Sequence, residues 1–196
     1  NTVDFNGSDT QAFTSGANNF YNITISNESA VGVQLLDALE PPHALTINSS
    51  ALLDLNGQDI DLTSAVFTNY GTLALQGGEI LTSFVNDTAN NGTIKYNGTT
   101  DYVGLAAGYN YKNLTFASSA TASWTVNNAT LTVSGILNIA NATSTLILGG
   151  ADTTLNNTSG SFTNYGTLQL EGNETLTGFT NDTANGGTIK YAGTGS

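Results

Sequence analysis

The chain lacks several residue types altogether: its 196 residues include no cysteine, no methionine and no arginine. Without cysteine, disulfide bonds and thiol chemistry are excluded. The only lysines are Lys95, Lys112 and Lys190, against 15 carboxylates, which gives a net charge of −12. Binding to nucleic acid or to anionic lipid headgroups requires a basic surface. We therefore expect no nucleic-acid partner and no attraction to lipid headgroups.

Charged residues of either sign are also scarce, at 9% of the chain, whereas about a quarter is usual. Asparagine, threonine, serine and glycine take their place, so the polarity of the surface must come from amides and hydroxyls. This composition favours an extracellular or cell-surface location. No run of 18 apolar residues is present, so we expect no transmembrane helix and no membrane insertion.

The chain contains a large internal repeat. Residues 67–99 and 162–194 agree at 25 of 33 positions. The phrase that opens the chain, residues 2–8, returns at 93–99 and again at 188–194. We therefore divide the chain into unit 1 (1–92), unit 2 (93–187) and the start of a third (188–196). Such self-similarity is typical of repeat architectures, either as a tandem array or as a subunit that continues into its neighbour.

A smaller repeat lies inside the large one. A loose Thr-Leu-x-Leu-x-Gly phrase begins at residues 52, 72 and 93, and again at 145, 167 and 188. Alternating apolar and polar residues predict a strand with one buried face, and the glycines predict sharp corners. We predict an all-β, right-handed parallel β-solenoid with coils of about 20–22 residues. The inward positions are expected at Leu73, Leu75, Ile94, Tyr96, Leu168, Leu170, Ile189 and Tyr191.

Two features leave room for other structures. Residues 34–40 (Gln-Leu-Leu-Asp-Ala-Leu-Glu) are predicted to form a short helix that ends at Pro41 and Pro42. The alternative architecture is two tandem β-sandwich domains joined in a donor-strand filament, which domain size and strand spacing both permit. A sandwich, however, does not explain the shorter period within each unit.

The chain resembles the strand repeats of large secreted microbial surface proteins. The residues that carry this resemblance are 2–8, 20–25, 51–57 and 67–73. These include filamentous-haemagglutinin-like and autotransporter-like adhesins. The resemblance covers nearly the whole chain, although its motifs carry little information. It implies a parallel β-helix stalk or fibre at a cell surface and carries over no catalytic residue. Segment 34–42 departs from the pattern, and we expect no outer-membrane barrel or anchoring domain within these 196 residues.

Glycosylation motifs are more frequent than composition predicts. The sequon Asn-x-Ser/Thr occurs 14 times, where the content of these residues predicts about 6 by chance. In a secreted protein, sequons are acceptors of N-linked sugars on exposed corners. Alternatively, these tripeptides are ordinary strand and turn sequences that were duplicated with the repeat, so that the excess counts some of them twice. The candidates are Asn6, Asn22, Asn27, Asn48, Asn86, Asn91, Asn97, Asn113, Asn128, Asn141, Asn156, Asn157, Asn173 and Asn181.

Catalytic constellations are poorly supported. His43 is the only histidine, so neither a Ser-His-Asp triad nor a histidine metal cluster can be assembled. Glycosidase chemistry needs two carboxylates at a defined separation. The closest pairs, Asp59 with Asp61 and Glu171 with Glu174, are better explained as solvated residues of outer strand faces. We expect no enzyme activity and no cofactor.

Two further groups of residues have side chains suited to binding a ligand. Asp54, Asn56, Asp59 and Asp61 offer oxygen ligands of the kind that calcium prefers, but the chain has no calcium-binding nonapeptide and no EF-hand spacing, so we expect no metal site. The aromatic residues Trp124, Tyr102, Tyr109 and Tyr111 either form a sugar-stacking patch or line the core.

These observations favour a structural subunit or segment of an extracellular fibre, which grows by head-to-tail continuation of β-structure and has copies of itself as partners. Edge strands present unpaired backbone groups, and matching ends stack without closing. The alternative is a cell-surface adhesin or carbohydrate-binding module. In that case segments 34–42 and 102–111 would bind the glycans of another surface. The assembly interface is expected at Thr2, Val3, Phe5, Gly7, Thr188, Ile189, Tyr191 and Gly193.

Overall fold

The computed structural model describes residues 1–193, which form an all-β structure of about nine stacked coils without any helix. The last three residues of the expected third unit, 194–196, lie outside the described residues. The strands are β1 (Thr2–Phe5), β2 (Gln11–Phe13), β3 (Asn22–Ile25), β4 (Val33–Leu35), β5 (Ala44–Ile47), β6 (Leu52–Asp54), β7 (Ile60–Asp61), β8 (Val66–Asn69), β9 (Thr72–Leu75), β10 (Leu81–Thr82), β11 (Thr93–Tyr96), β12 (Tyr102–Val103), β13 (Asn110–Tyr111), β14 (Asn113–Phe116), β15 (Ala122–Asn127), β16 (Thr130–Val133), β17 (Ile136–Ile139), β18 (Ser144–Gly149), β19 (Thr154–Asn156), β20 (Ser161–Asn164), β21 (Thr167–Leu170), β22 (Thr175–Thr177) and β23 (Thr188–Tyr191).

The strands stack on three faces of the solenoid. The first face carries the sheet β1-β3-β5-β8 and then β13-β16-β19-β22. The second face is one continuous sheet in the order β2-β4-β6-β9-β11-β14-β17-β20. The third face carries the pair β7 and β10 and then β12-β15-β18-β21-β23. We number the coils 1 to 9 along the chain, so that coil 1 contains β1 and β2, coil 5 contains β11 and β12, and coil 9 contains β22 and β23.

Every strand pairs in parallel with the strand one coil away, so like side chains stack in columns. On the third face, for example, Leu146 lies between Trp124 and Leu168, and all three are fully buried. Successive side chains of a strand point to opposite sides, so the apolar members fill the interior while the polar members face the solvent. The core therefore runs continuously along the stack, as expected of a solenoid whose single coils cannot bury their own apolar face.

Coil length is less regular than the sequence period suggests. Measured between paired residues, a coil has 20 residues from Ile94 to Leu114 but 25 from Leu137 to Phe162. The expected range of 20–22 residues therefore holds for only part of the stack, because longer corners are inserted in coils 6 to 8. The strands themselves keep their register, since the backbone ladder fixes them.

The large repeat and the coil are out of phase. The repeated strand β1 lies on the first face of coil 1, its equivalent β11 on the second face of coil 5, and its equivalent β23 on the third face of coil 9. We count three strand positions per coil, one for each face, whether or not a strand is formed there. By this count one sequence repeat spans 13 strand positions, which is four coils plus one face. Other equivalent strands shift in the same way: β8 is on the first face and β20 on the second, while β9 is on the second face and β21 on the third.

Two expectations are corrected. The β-sandwich alternative is wrong, because sandwiches are built from antiparallel sheets and the strands of residues 1–193 pair in parallel in stacked coils. The short helix at 34–40 is also wrong: Leu35 ends strand β4, and Leu39 forms a parallel bridge to Ile60. The apolar spacing resembled a helix, but stacking between neighbouring coils overrides this local propensity.

Of the eight expected inward positions, six are buried to at least 97%. The exceptions, Ile189 and Tyr191, belong to the last coil. They have the inward register, since they pair with Leu168 and Leu170, but Tyr191 is 73% exposed. No further strand covers them among residues 1–193.

Candidate functional site: the two ends of the stack

The first edge of the stack is β1, which pairs only with β3 among the described residues. Its inward side chains are incompletely covered: Val3 is 38% exposed and Phe5 is half-buried. Phe5 packs against Phe13 with ring centroids 4.6 Å apart, and Phe13 packs against Phe20 at 5.4 Å. The core therefore ends at coil 1 in an aromatic cluster, beside a strand edge with free backbone groups.

The last edge consists of β22 and β23 in coil 9. β23 adds only to β21, with Thr188 opposite Thr167 and Lys190 opposite Gln169. Leu176 of β22 is half-buried and packs on the core. This edge therefore also combines apolar side chains with backbone groups that have no partner strand among residues 1–193.

The structure places the predicted interface residues at opposite ends. Thr2, Val3, Phe5 and Gly7 are in coil 1 and Thr188, Ile189, Tyr191 and Gly193 in coil 9, on different faces. Within one chain the two groups do not meet, so any contact between them is a contact between chains.

The same strand pattern is seen with both edges covered at β11. It lies between β9 and β14, and Tyr96 is opposite Leu75 on one side and Phe116 on the other. Tyr96 is fully buried and stacks on Phe116 with a centroid distance of 5.6 Å. This junction between unit 1 and unit 2 shows the environment of the repeated strand in the interior of the stack.

Buried tyrosine hydroxyls are satisfied at this junction. The hydroxyl of Tyr96 accepts a hydrogen bond from the backbone N–H of Ala107 at 3.0 Å and lies 3.2 Å from the hydroxyl of Tyr111. The Tyr111 hydroxyl donates to the carbonyl of Gly108 at 2.5 Å. Burial raises the pKa of both tyrosines well above the ordinary value, so both remain neutral.

Carboxylates bind neighbouring coils together at equivalent corners of the two repeats. Asp87 accepts a hydrogen bond from the backbone N–H of Asn69 at 2.8 Å, and Asp182 accepts the equivalent bond from Asn164 at 2.7 Å. Each carboxylate also accepts from backbone N–H groups of its own turn. Sequence reasoning missed these two residues, although both lie in the stretch that repeats most strongly.

The hydrogen bonds lower the pKa of both carboxyl groups. Burial would raise the pKa of Asp87, but the Asn90 side chain and the backbone N–H groups of Asn69, Asn90 and Ala89 outweigh it. For Asp182, the backbone N–H of Asn164 is the largest cause of the lowered pKa, followed by the Asn185 side chain. Both carboxyl groups are therefore ionised in the folded chain, and the carboxylates accept hydrogen bonds from backbone N–H groups.

The sequons differ widely in accessibility. The exposed acceptors are Asn6, Asn91, Asn128, Asn173 and Asn181. The half-buried ones are Asn22, Asn48, Asn86, Asn97, Asn113, Asn141 and Asn156. Asn27 and Asn157 are fully buried, and their side-chain amides donate to backbone carbonyls of Asp9 and Val133. A sugar on either of these two nitrogens has no space in the folded chain.

The carboxylates considered for catalysis or calcium are engaged with backbone donors. Asp59 accepts from the N–H of Ile80 at 2.8 Å, and Asp61 accepts from Thr63 at 2.7 Å. Glu174 accepts from the N–H of Gly172 at 2.8 Å. Among residues 1–193, no group of three or more histidine, cysteine, aspartate or glutamate side chains is placed to hold a metal ion.

The aromatic residues of the expected sugar-stacking patch line the core instead. Trp124 is fully buried and Tyr111 is 1% exposed. Tyr102 is half-buried and stacks on Trp124 at 6.0 Å. Tyr109 borders a groove at the surface, where the first face is interrupted in coil 5. This groove, about 440 Å³ in volume, is lined by Phe84, Val85, Asn86, Thr88, Ala107, Gly108, Tyr109 and Asn110.

Comparison of the chain with protein-family models, with curated proteins and with solved structures gives no match. Within residues 1–193 there is no helix that is long and apolar enough to span a membrane. The β-solenoid of tandem repeats is thus established by the structure itself.

Proposed function

We propose that this protein is a structural element of an extracellular fibre whose β-coils continue from one copy to the next. The observation that carries the proposal is the threefold occurrence of one strand, as β1, β11 and β23. The middle occurrence has neighbours on both edges, whereas the outer two each have one neighbour among the described residues. Contact with a second copy gives β1 the second neighbour that β11 already has inside the chain.

The driving force is the same as that between coils. A new coil pairs free backbone N–H and C=O groups and covers the partly exposed apolar side chains Val3 and Leu176. The contact joins two different surfaces of the same chain, so it repeats without closing and yields a filament.

The surface supports an extracellular setting. It is polar through amides and hydroxyls, and five sequon asparagines are exposed on it. With three lysines in the chain, stability comes from stacked backbone bonds and the core, so the fibre should resist heat, acid and proteases. Among secreted surface proteins, the stalks of filamentous-haemagglutinin-like and autotransporter-like adhesins are the type that the strand repeats resemble.

The proposal is tested by imaging the purified chain by cryo-electron microscopy over a range of concentrations. We expect filaments with a meridional reflection near 4.8 Å, the spacing of strands. Val3→Asp, which places a charge at the first edge, should abolish them. Val103→Asp is the control, because Val103 is 85% exposed on the third face away from both ends. Discrete particles at every concentration would rule the fibre out.

A carbohydrate-binding module is the second candidate, favoured by the groove beside Tyr109. An aromatic ring next to the amides of Asn86 and Asn110 suits a neutral sugar, which offers both an apolar face and hydroxyls. Tyr109→Ala should then abolish binding to a glycan array and leave filaments unchanged. If the chain is only a fibre, the array remains blank for the native protein as well.

A further inference from the structure

The junction between the two repeats inside the chain indicates how two copies join. At this junction β11 lies on β9 with Thr93 opposite Thr72 and Tyr96 opposite Leu75. Strand β14 then lies on β11. Because 13 strand positions separate equivalent strands, β9 and β11 of this junction correspond to β21 and β23 at the last edge.

The first strand of a following copy therefore needs the edge of β21, and β23 already occupies that edge. β23 lies on β21 with Thr188 opposite Thr167 and Tyr191 opposite Leu170, which is the register of β11 on β9. β1 is the first strand of the next copy and has the same pattern. For the repeat to continue without a break, β1 must lie where β23 lies.

Resting on the proposed function, we propose that copies join by strand exchange: β1 of a second copy of this chain displaces β23 from the edge of β21. The contact pairs Thr2 with Thr167, Val3 with Leu168, Asp4 with Gln169 and Phe5 with Leu170. It reproduces between chains the contact of β11 with β9.

The exchange costs little at the strand itself. Val3 and Phe5 replace Ile189 and Tyr191, so the apolar pattern over β21 is kept. Tyr191 is 73% exposed before it leaves, so its release forfeits little buried area. The gain comes from the rest of the incoming coil, because β2 then covers β22 and its half-buried Leu176.

Two other junctions are less well matched. If β1 lay on the free edge of β23, the incoming copy would begin two strand positions late, and the places above β22 and above segment 179–187 would stay empty. If β1 lay on β22, every position would be filled. That contact, however, has no counterpart in the chain, because β10, the equivalent of β22, pairs only with β7 among the described residues.

Strand exchange also sets the symmetry of the fibre. Each copy advances by 26 strand positions, two repeats of 13, which is eight coils and two faces. At about 4.8 Å per coil the rise is about 42 Å. Equivalent corners, such as those of Asp87 and Asp182, then follow one another around all three faces.

Cysteine cross-linking distinguishes the three junctions, because the native chain has no cysteine. Asp4→Cys is combined with Gln169→Cys for the exchange, with Lys190→Cys for stacking on β23, or with Thr177→Cys for stacking on β22. Neighbouring strands bring such pairs within disulfide distance. Under mild oxidation we expect a ladder of covalent multimers from the Gln169 pair alone. Asp4→Cys by itself is the control and should give at most a dimer.

Truncation after Gly187 gives an independent test with opposite outcomes. It removes the competing strand and exposes β21, so under exchange the critical concentration for filament formation falls. Under either stacking junction it rises or filaments are lost. A ladder from the Lys190 or Thr177 pair, or loss of filaments on truncation of a chain that still folds by circular dichroism, would overturn the exchange while the fibre stands. Absence of filaments from every variant, and from the native chain, would instead overturn the fibre.

Discussion

At the scale of single residues, Asp87 and Asp182 show how an acidic protein with few lysines uses its carboxylates. Each accepts a backbone N–H from the preceding coil, at Asn69 and Asn164, and so fixes the corner where one coil passes to the next. Because the donors belong to the backbone, the contact does not depend on a basic side chain.

We expect Asp87→Asn to lower the free energy of unfolding by about 1–2 kcal/mol, because hydrogen bonds to a charged acceptor are replaced by weaker ones and an amide presents donors to donors. Urea unfolding followed by circular dichroism measures the change. Asp152→Asn is the control, since Asp152 is exposed and its replacement should have little effect. Equal stabilities of the two variants would show that the corner contact contributes nothing.

The same variant has a pH dependence of defined sign. The pKa of Asp87 in the folded chain lies below its ordinary value of 3.8, so the folded carboxylate stays charged where the unfolded one has taken up a proton. Its stabilisation is complete above the ordinary pKa and is lost as pH falls through the folded pKa. The difference in stability between the native chain and Asp87→Asn should therefore be constant near neutral pH and shrink below pH 3.8. A difference that widens on acidification would contradict this assignment.

Tyr96 and its equivalent Tyr191 form a second matched pair. Tyr96→Phe leaves the buried N–H of Ala107 without its acceptor, which should cost about 1–3 kcal/mol. Tyr191→Phe, at a position that is 73% exposed, should be close to neutral. Thermal unfolding of both variants provides the comparison, and a similar shift in melting temperature for each would mean that the buried hydroxyl is dispensable.

At the scale of strands and corners, equivalent segments of the two repeats have the same local packing although they lie on different faces of the solenoid. Phe67 packs on Phe84 at 5.2 Å on the first face of coils 4 and 5, and Phe162 packs on Phe179 at 4.9 Å on the second face of coils 8 and 9. Corner geometry is thus set by the residues within the repeat and by the adjacent coil, not by the face on which they lie.

Gly71 and Gly166 provide a test of this independence. A Cβ at Gly71 would lie 2.3 Å from the carbonyl oxygen of Asn48, and one at Gly166 would lie 2.4 Å from that of Ser144. Each change to alanine should destabilise by about 1–3 kcal/mol, as overpacking does, and by similar amounts. Gly78→Ala, whose closest contact would be 3.5 Å, is the control. Chemical denaturation of the three variants decides, and strongly unequal effects at Gly71 and Gly166 would show that the face matters.

At the scale of the whole molecule, the net charge of −12 opposes both folding and assembly through repulsion between carboxylates. Added salt screens this repulsion, so the urea midpoint should rise modestly with sodium chloride and the critical concentration for filaments should fall. A variant with Asp9→Asn, Glu28→Gln and Asp152→Asn, all exposed, should show a smaller salt effect. A midpoint that falls with salt would mean that attractive ion pairs dominate.

Much of this fold could be predicted because its signals are local. The alternation in Thr72–Leu75 and Thr167–Leu170 identified strands, and all four inward leucines are buried. The helix predicted for residues 34–40 was wrong, because their apolar spacing fits a helix but pairing with neighbouring coils decides the structure. Trp124 and Tyr111 were ambiguous for the same reason: an aromatic residue next to polar ones has the same sequence signature on a surface and in a core.

The sequence by itself determined the period of the strands, the inward side of each one and the polar character of the surface, since these follow from alternation and composition. The tertiary structure alone decided where the two repeats lie relative to each other. Coil length depends on how corners stack, from 20 to 25 residues, and the repeat spans four coils and one face rather than a whole number of coils. Equivalent residues therefore point in different directions, because the backbone ladder between coils, not the repeat, sets the geometry of the stack.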